Sequence, residues 1–259
     1  MENQKYQPKK RLGQNFLRSS AALEKLVGSA MIGDKDIILE PGAGLGTVTK
    51  ELAKKAKLVY AIEFDVDLLA QLQQTVPVNV EVLNKDVLKL NWDDLSPAPT
   101  IVAGSIPYQI TSPLIHLILY YLARHPHTIK RTALIIQKEV ALKLCAMPPK
   151  ATYLSNLVRL FGEPKIVKTI PPGSFFPAPK VNSAIWSLEI AEKTPNEKEL
   201  REWETLLHKG FSHPRQMINK VFDSGWLKKI GVSPQARAGE LLIKDWQLIY
   251  LNACDIFQQ

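Results

Sequence analysis

The residues best placed to do chemistry are carboxylates at the ends of apolar runs. Glu40 closes Ile37-Ile38-Leu39, Glu63 closes Leu58 to Ile62, and Asp86 follows Val80 to Leu83. After Glu40 comes Pro41-Gly42-Ala43-Gly44-Leu45-Gly46-Thr47. Glycine takes positive φ and lets a ligand approach with no Cβ in the way. A helix starting behind such a turn offers free N–H groups to polar ligand atoms. The dinucleotide spacing G-x-G-x-x-G is only half met, because Gly42 and Gly44 fit but the third position is Thr47 and the extra glycine is Gly46. Glu63 stands 21 residues after Gly42, where an acid can hold two ribose hydroxyls. Asp86 can accept a hydrogen bond from an adenine amino group. Each acid alone reads as a solvated loop carboxylate. The three in register predict an adenosine-containing ligand, and S-adenosylmethionine fits better than a nicotinamide dinucleotide.

A second group lies at Ser105-Ile106-Pro107-Tyr108. Proline stiffens a loop and leaves neighbouring carbonyls free to point inward, and Tyr108 offers a flat face to a nucleobase. Near the N-terminus, Gln14 and Asn15 precede Phe16 and Leu17. That segment reads either as a mobile arm or as a lid folded over a ligand. His116 reads as a helix-face residue, and Trp203, Trp226 and Trp246 as core residues.

The elements that must position these groups follow from periodicity. Strands and helices alternate over 37–40, 47–56, 58–63, 66–74 and 80–84, which implies a parallel, doubly wound α/β sheet. A fourth strand at 100–104 opens onto the Ser105 loop. Ser112-Pro113 predicts a helix start there, and Ser19 or Ser20 caps a helix before the first strand. Further strands are expected over 132–137, 164–170 and 183–190. After Ala191 a charged linker, Glu192 to Glu197, leads into segments with helical patterning only: 197–210, 214–222, 234–242 and 244–257. The expected division is a catalytic domain over 1–191, with 1–18 as a basic arm, and a small all-α domain over 192–259. No internal repeat is evident.

The totals set limits. The chain has 259 residues, 46% apolar and 22% charged, as ordinary globular proteins do. No apolar run approaches the roughly 18 residues of a membrane span. Cys145 and Cys254 are far apart, which suggests a reducing cytosol and no metal site. The formal net charge is +8. Residues 1–20 carry five Lys/Arg against Glu2, a net of +4, and residues 121–150 carry six against Glu139, a net of +5. Clustered cations point to a polyanionic partner.

Four blocks resemble the KsgA-type rRNA adenine dimethyltransferases, relatives of the Erm methyltransferases: Arg11 to Leu17 (RLGQNFL), Glu40 to Gly46 (EPGAGLG), Ser105 to Tyr108 (SIPY) and Phe175 to Ala184 (FFPAPKVNSA). Gln137 to Val140 and Arg237 to Leu241 add shorter matches, the latter favouring the KsgA side. The resemblance implies a seven-stranded class I, Rossmann-like methyltransferase domain with a helical C-terminal domain. It implies S-adenosylmethionine as donor, no metal, and N6,N6-dimethylation of two adjacent adenosines near the 3′ end of small-subunit rRNA in the cytoplasm, by a monomer. On it, Gln14, Asn15, Leu17, Glu40, Gly42, Gly44, Glu63, Asp86 and Ser105 become the donor-binding set. Ser105, Ile106, Pro107, Tyr108 and Phe175 become the catalytic set, with Phe175 packing on the target base. The chain departs from the family in having Ser105 where Asn is usual, and in Phe211 to Gln216, usually richer in arginine. Ser105 keeps a rival open, a non-catalytic RNA-binding assembly factor. A nicotinamide-dependent oxidoreductase is the third reading.

Overall fold

The computed structural model describes residues 6–253. Lys5 of the first basic segment, the Lys10 side chain, Cys254 and the end of the helix expected over 244–257 lie outside the described residues. The strands are β1 (Phe16–Leu17), β2 (Ile37–Pro41), β3 (Leu58–Ile62), β4 (Val80–Leu83), β5 (Ile101–Ser105), β6 (Arg131–Gln137), β7 (Gly162–Ile170), β8 (Phe175–Phe176) and β9 (Ser183–Ile190). The helices are α1 (Ser20–Ala30), α2 (Thr47–Ala53), α3 (Val66–Thr75), α4 (Thr111–Arg124), α5 (Lys138–Leu144), α6 (Tyr153–Arg159), α7 (Glu197–Gly210), α8 (Ser224–Lys229) and α9 (Ile243–Leu251).

Seven strands form one sheet in the order β4-β3-β2-β5-β6-β9-β7. The steps from β4 through β6 are parallel, and β9 runs antiparallel to β6. Every residue of β2 is buried, as a central parallel strand covered by helices on both faces must be. Strand order reverses between β2 and β5, and ligand crevices open at such a switch point, beyond the C-terminal strand ends. Glu40, Glu63 and Ser105 all sit there. A two-residue ribbon stands apart: Phe16 pairs with Phe176 and Leu17 with Phe175.

Ser19 caps α1, its hydroxyl accepting from the Ala22 N–H. The start of α4 differs from the expectation. A 3₁₀ turn at Tyr108–Ile110 runs into it, so Ser112 and Pro113 lie inside the first helical turn and Ser112 is no cap. Proline is tolerated there because the first N–H groups have no helical acceptor.

Two compact units emerge: the described parts of Met1–Ala141 with Lys165–Ile190, and of Leu142–Pro164 with Ala191–Gln259. In the second unit α7 has the expected bounds. The helices expected over 214–222 and 234–242 are instead 3₁₀ turns, Ile218–Lys220 and Ala238–Glu240. Their backbone donors go sideways rather than along a helix: Ile218 N–H to Ala236 O at 2.7 Å and Asn219 N–H to Pro234 O at 3.3 Å. A repeat not read from the sequence thus appears in the backbone. Each turn leads into a short helix, and the two turns start 20 residues apart, at Ile218 and Ala238. Pro214 and Trp226 recur as Pro234 and Trp246. Trp203 and Trp246 are buried and Trp226 half-buried. Trp246 lies so close to Gly210 that a Cβ there would fall 2.2 Å from its ring.

Candidate active site

The C-terminal strand ends surround a cavity of about 260 Å³. Leu12 to Leu17 form one wall, Glu40, Gly42 to Leu45, Glu63 and Asp86 another, and Ser105 to Ile110 with Phe175 a third. All of the donor-binding and catalytic candidates named above therefore line one space. No helix among the described residues is long and apolar enough to cross a membrane.

The glycine turn is shaped by contact as well as by conformation. Gly42 and Gly44 have φ of 72° and 58°. A Cβ on Gly42 would lie 3.1 Å from Pro107 Cδ, and one on Gly44 3.1 Å from Phe16 Cε1. Glycine there lets the Ser105 loop and the N-terminal arm close onto the turn. Glu63, almost buried, accepts from the Gly44 N–H at 2.8 Å and the Asp65 N–H at 2.7 Å. Burial raises its carboxyl above the ordinary range, and these N–H groups oppose the rise. A carboxylate has about four acceptor sites, so Glu63 retains capacity for two hydroxyls. Asp86 caps its own turn, accepting from the Leu88 N–H at 3.0 Å.

Glu40 is fully buried, and neither carboxylate oxygen has a hydrogen-bond partner among the described residues. Burial pushes its pKa up to about 8. The nearby Thr49 hydroxyl opposes the rise without reaching hydrogen-bond geometry, and the Glu63 charge adds to it. An orphaned acid in a cavity wall is suited to a cationic ligand group.

On the other wall, the Ile106 N–H donates to Ile135 O at 3.3 Å and the Pro107 carbonyl accepts from the Ile110 N–H at 3.2 Å. The Tyr108 hydroxyl lies 2.6 Å from the hydroxyl of Ser183, which is fully buried. Burial raises the Tyr108 hydroxyl's pKa, and Ser183 opposes this. Phe175 is buried and its ribbon neighbour Phe176 half-exposed, with the Arg18 guanidinium 4.1 Å above the Phe176 ring.

The ribosomal RNA adenine dimethylase family model matches residues 5–253. The chain belongs to that family. Among its relatives, a ribosomal RNA small subunit methyltransferase A of Caldanaerobacter subterraneus is 32% identical over 254 residues, covering 91% of this chain and 93% of the relative. The enzyme of the same name from Alkaliphilus oremlandii is 36% identical over 238 residues, covering 87% and 81%. A dimethyladenosine transferase from Plasmodium falciparum superposes with a TM-score of 0.76 at 25% identity, covering 93% of this chain and 98% of that one. The 23S rRNA methyltransferase ErmE superposes with 0.75 at 25% identity, covering 95% and 100%.

In this dimethylase the sequence-predicted residues meet, but two features depart from the sequence reading. The Gln14 amide is already engaged by protein partners: Nε2 donates to Asp65 at 2.8 Å, and Oε1 accepts from the Lys9 N–H at 2.7 Å. The basic segments are also less free than their formal charge suggests. Lys9 pairs with Asp65 and Asp67, Arg124 with Asp93, Lys130 with Asp36 and Arg131 with Glu189. Arg11 is exposed, as are Lys143 and Lys150. Two polar residues that sequence reasoning missed complete the surroundings, Asp65 and Ser183. The Glu63-Phe64-Asp65 spacing could have suggested Asp65; Ser183 had no signal beyond its place in the last family block.

Proposed function

We propose that the chain transfers methyl groups from S-adenosylmethionine to N6 of two adjacent adenosines near the 3′ end of small-subunit rRNA. The observation carrying this reading is that the glycine turn with Glu63 and the Ser105–Tyr108 loop with Phe175 line one cavity. S-adenosylmethionine, when bound, supplies a methyl group already activated by its sulfonium. The residues fit such a donor. Gly42 and Gly44 leave backbone room, Glu63 has spare acceptor sites for ribose hydroxyls, and orphaned Glu40 would offset a cationic centre. Asp86 would accept from the donor's adenine amino group, and Asn15 and Leu17 would close the arm side.

The rest of catalysis is positioning. Adenine must leave its stack to reach the cavity, where Tyr108 and Phe175 hold it between flat faces. Tyr108 is set by Ser183. Pro107's carbonyl is already engaged by Ile110. The Ile106 carbonyl accepts no backbone N–H among the described residues, so it and the Ser105 hydroxyl are the loop's acceptors for the target amino group. RNA contact falls to the exposed cations Arg11, Lys143 and Lys150, and to residues 192–259, where Arg215, Lys220, Lys228 and Lys229 are exposed. The enzyme works as a monomer in the cytoplasm, since one chain supplies the whole cavity and ribosomal subunits are its substrate.

The test is single-turnover methyl transfer to small-subunit rRNA, with N6,N6-dimethyladenosine read by mass spectrometry. The expected result is two dimethylated adenosines per RNA. No transfer by the unaltered chain, with donor bound, would sink the reading.

A further inference from the structure

Asp65 caps α3, accepting from the Asp67 N–H at 3.2 Å. Serine or asparagine would serve a cap as well. This carboxylate does more. It is buried, and three side chains of the N-terminal arm converge on it. Lys9 Nζ lies 2.6 Å from Oδ1, while Gln14 Nε2 and the Tyr6 hydroxyl donate to Oδ2 at 2.8 and 2.5 Å. Lys9 also reaches Asp67. Burial alone would raise the Asp65 carboxyl, but the bonds from Lys9, Tyr6 and Gln14 outweigh it and hold the group at about 2.

The placement of these contacts points to a purpose beyond capping. Tyr6, Lys9 and Gln14 flank or belong to the arm that forms one wall of the cavity. Beyond that wall the arm is pinned again, by the pairing of β1 with β8 and by the Arg18 N–H to Ser174 O at 2.8 Å. Asp65 is also tied to the donor side, because its N–H donates to Glu63 at 2.7 Å. One short segment thus joins the proposed ribose acceptor to the fastening of the arm.

We propose that Asp65 is a positioning residue that latches the N-terminal arm over the methyl-donor site and so sets how long the donor stays bound. This rests on reading the cavity as the donor site. Lys9 then serves the latch and not an RNA phosphate.

The test uses the full chain with S-adenosylmethionine and no RNA. Asp65→Ser keeps the helix cap but is too short to hold the arm. Tyr6→Phe and Lys9→Met loosen the latch from the arm side and leave the α3 cap residue Asp65 in place, so the test stands even if Asp65→Ser folds poorly. The donor should leave about tenfold faster or more from Asp65→Ser, since a hydrogen bond to a charged group typically contributes at least that factor. In a separate turnover assay with small-subunit rRNA, KM for the donor should rise while kcat at saturating donor holds. Trypsin should cut after Arg11 quickly in the variants, whereas donor should protect the unaltered chain. Asp65→Asn, which keeps acceptor and cap but not the charge, should fall between. Unchanged donor release and unchanged cleavage in all these variants would overturn the latch. If Glu63→Ala still abolished donor binding, the donor-site reading would survive that result; if Glu63→Ala bound donor normally, the site reading would fall and the latch with it.

Discussion

Glu40→Gln is the perturbation that most directly probes the buried acid of the cavity wall. In the folded chain Glu40 keeps its proton up to about pH 8, against an ordinary value of 4.5. An unfolded chain gives that proton up at the lower value. The group's contribution to stability is therefore fully present below 4.5 and is lost as pH rises through about 8. Each pH unit inside that window costs about 1.4 kcal/mol. Between about pH 6 and pH 8 the unaltered protein should lose roughly 2 kcal/mol that Glu40→Gln, which has no proton to lose, does not. At about pH 5 the two should be nearly equal in stability, since both then bury a neutral group of the same shape.

The assay is urea unfolding without donor, followed by circular dichroism at three pH values for both proteins. The two profiles should diverge toward high pH, with Glu40→Gln the more stable. Donor adds a second reading. A cation beside Glu40 favours the charged form, so the unaltered protein should bind S-adenosylmethionine more tightly at about pH 8 than at about pH 6, and Glu40→Gln should flatten that dependence. Parallel stability profiles would refute the buried-acid argument. A divergence in stability with no change in the pH dependence of binding would leave the acid buried but turned from the donor's charge.

Three further outcomes follow from the same geometry. Glu63→Ala should cost donor affinity at least about a hundredfold, because two hydrogen bonds to a charged group contribute roughly 1.5–3 kcal/mol each; calorimetry showing unchanged affinity would remove Glu63 from the ribose. Ser105→Asn should keep or raise methyl transfer in single-turnover assays, while Ser105→Ala should slow it by up to about 10²–10³, the range for one aligned transition-state hydrogen bond. An inactive unaltered chain beside an active Ser105→Asn would instead favour an assembly role. Replacing Lys143 and Lys150 by alanine should lower the slope of log affinity against log salt by about one each, whereas Lys130→Ala, already paired with Asp36, should change it less.

The sheet, its order of strands and the ligand edge were legible because parallel strands buried on both faces write long apolar runs, and Glu40, Glu63 and Ser105 mark where those runs end. What was not legible shares one cause: a residue's type does not show which backbone or side-chain partner it will meet across the fold. Ser112-Pro113 has the composition of a helix start, yet the chain already begins turning at Tyr108, because the Pro107 carbonyl takes the Ile110 N–H. Pro214 to Phe222 has helical apolar spacing, yet Ile218 and Asn219 give their N–H groups to the 234–236 segment. Lys9 counts as a free cation in a charge sum and becomes the partner of two carboxylates. Glu40 looks like its neighbours at the other strand ends, but it lies without a partner where Glu63 holds two backbone N–H groups. The contrast between these two glutamates is a division of labour set by position. Glu63 is fixed by Gly44 and Asp65 and can orient hydroxyls. Glu40, unfixed and buried, can change charge when a cation arrives, and that difference is available only to a chain folded so that both acids face the same cavity.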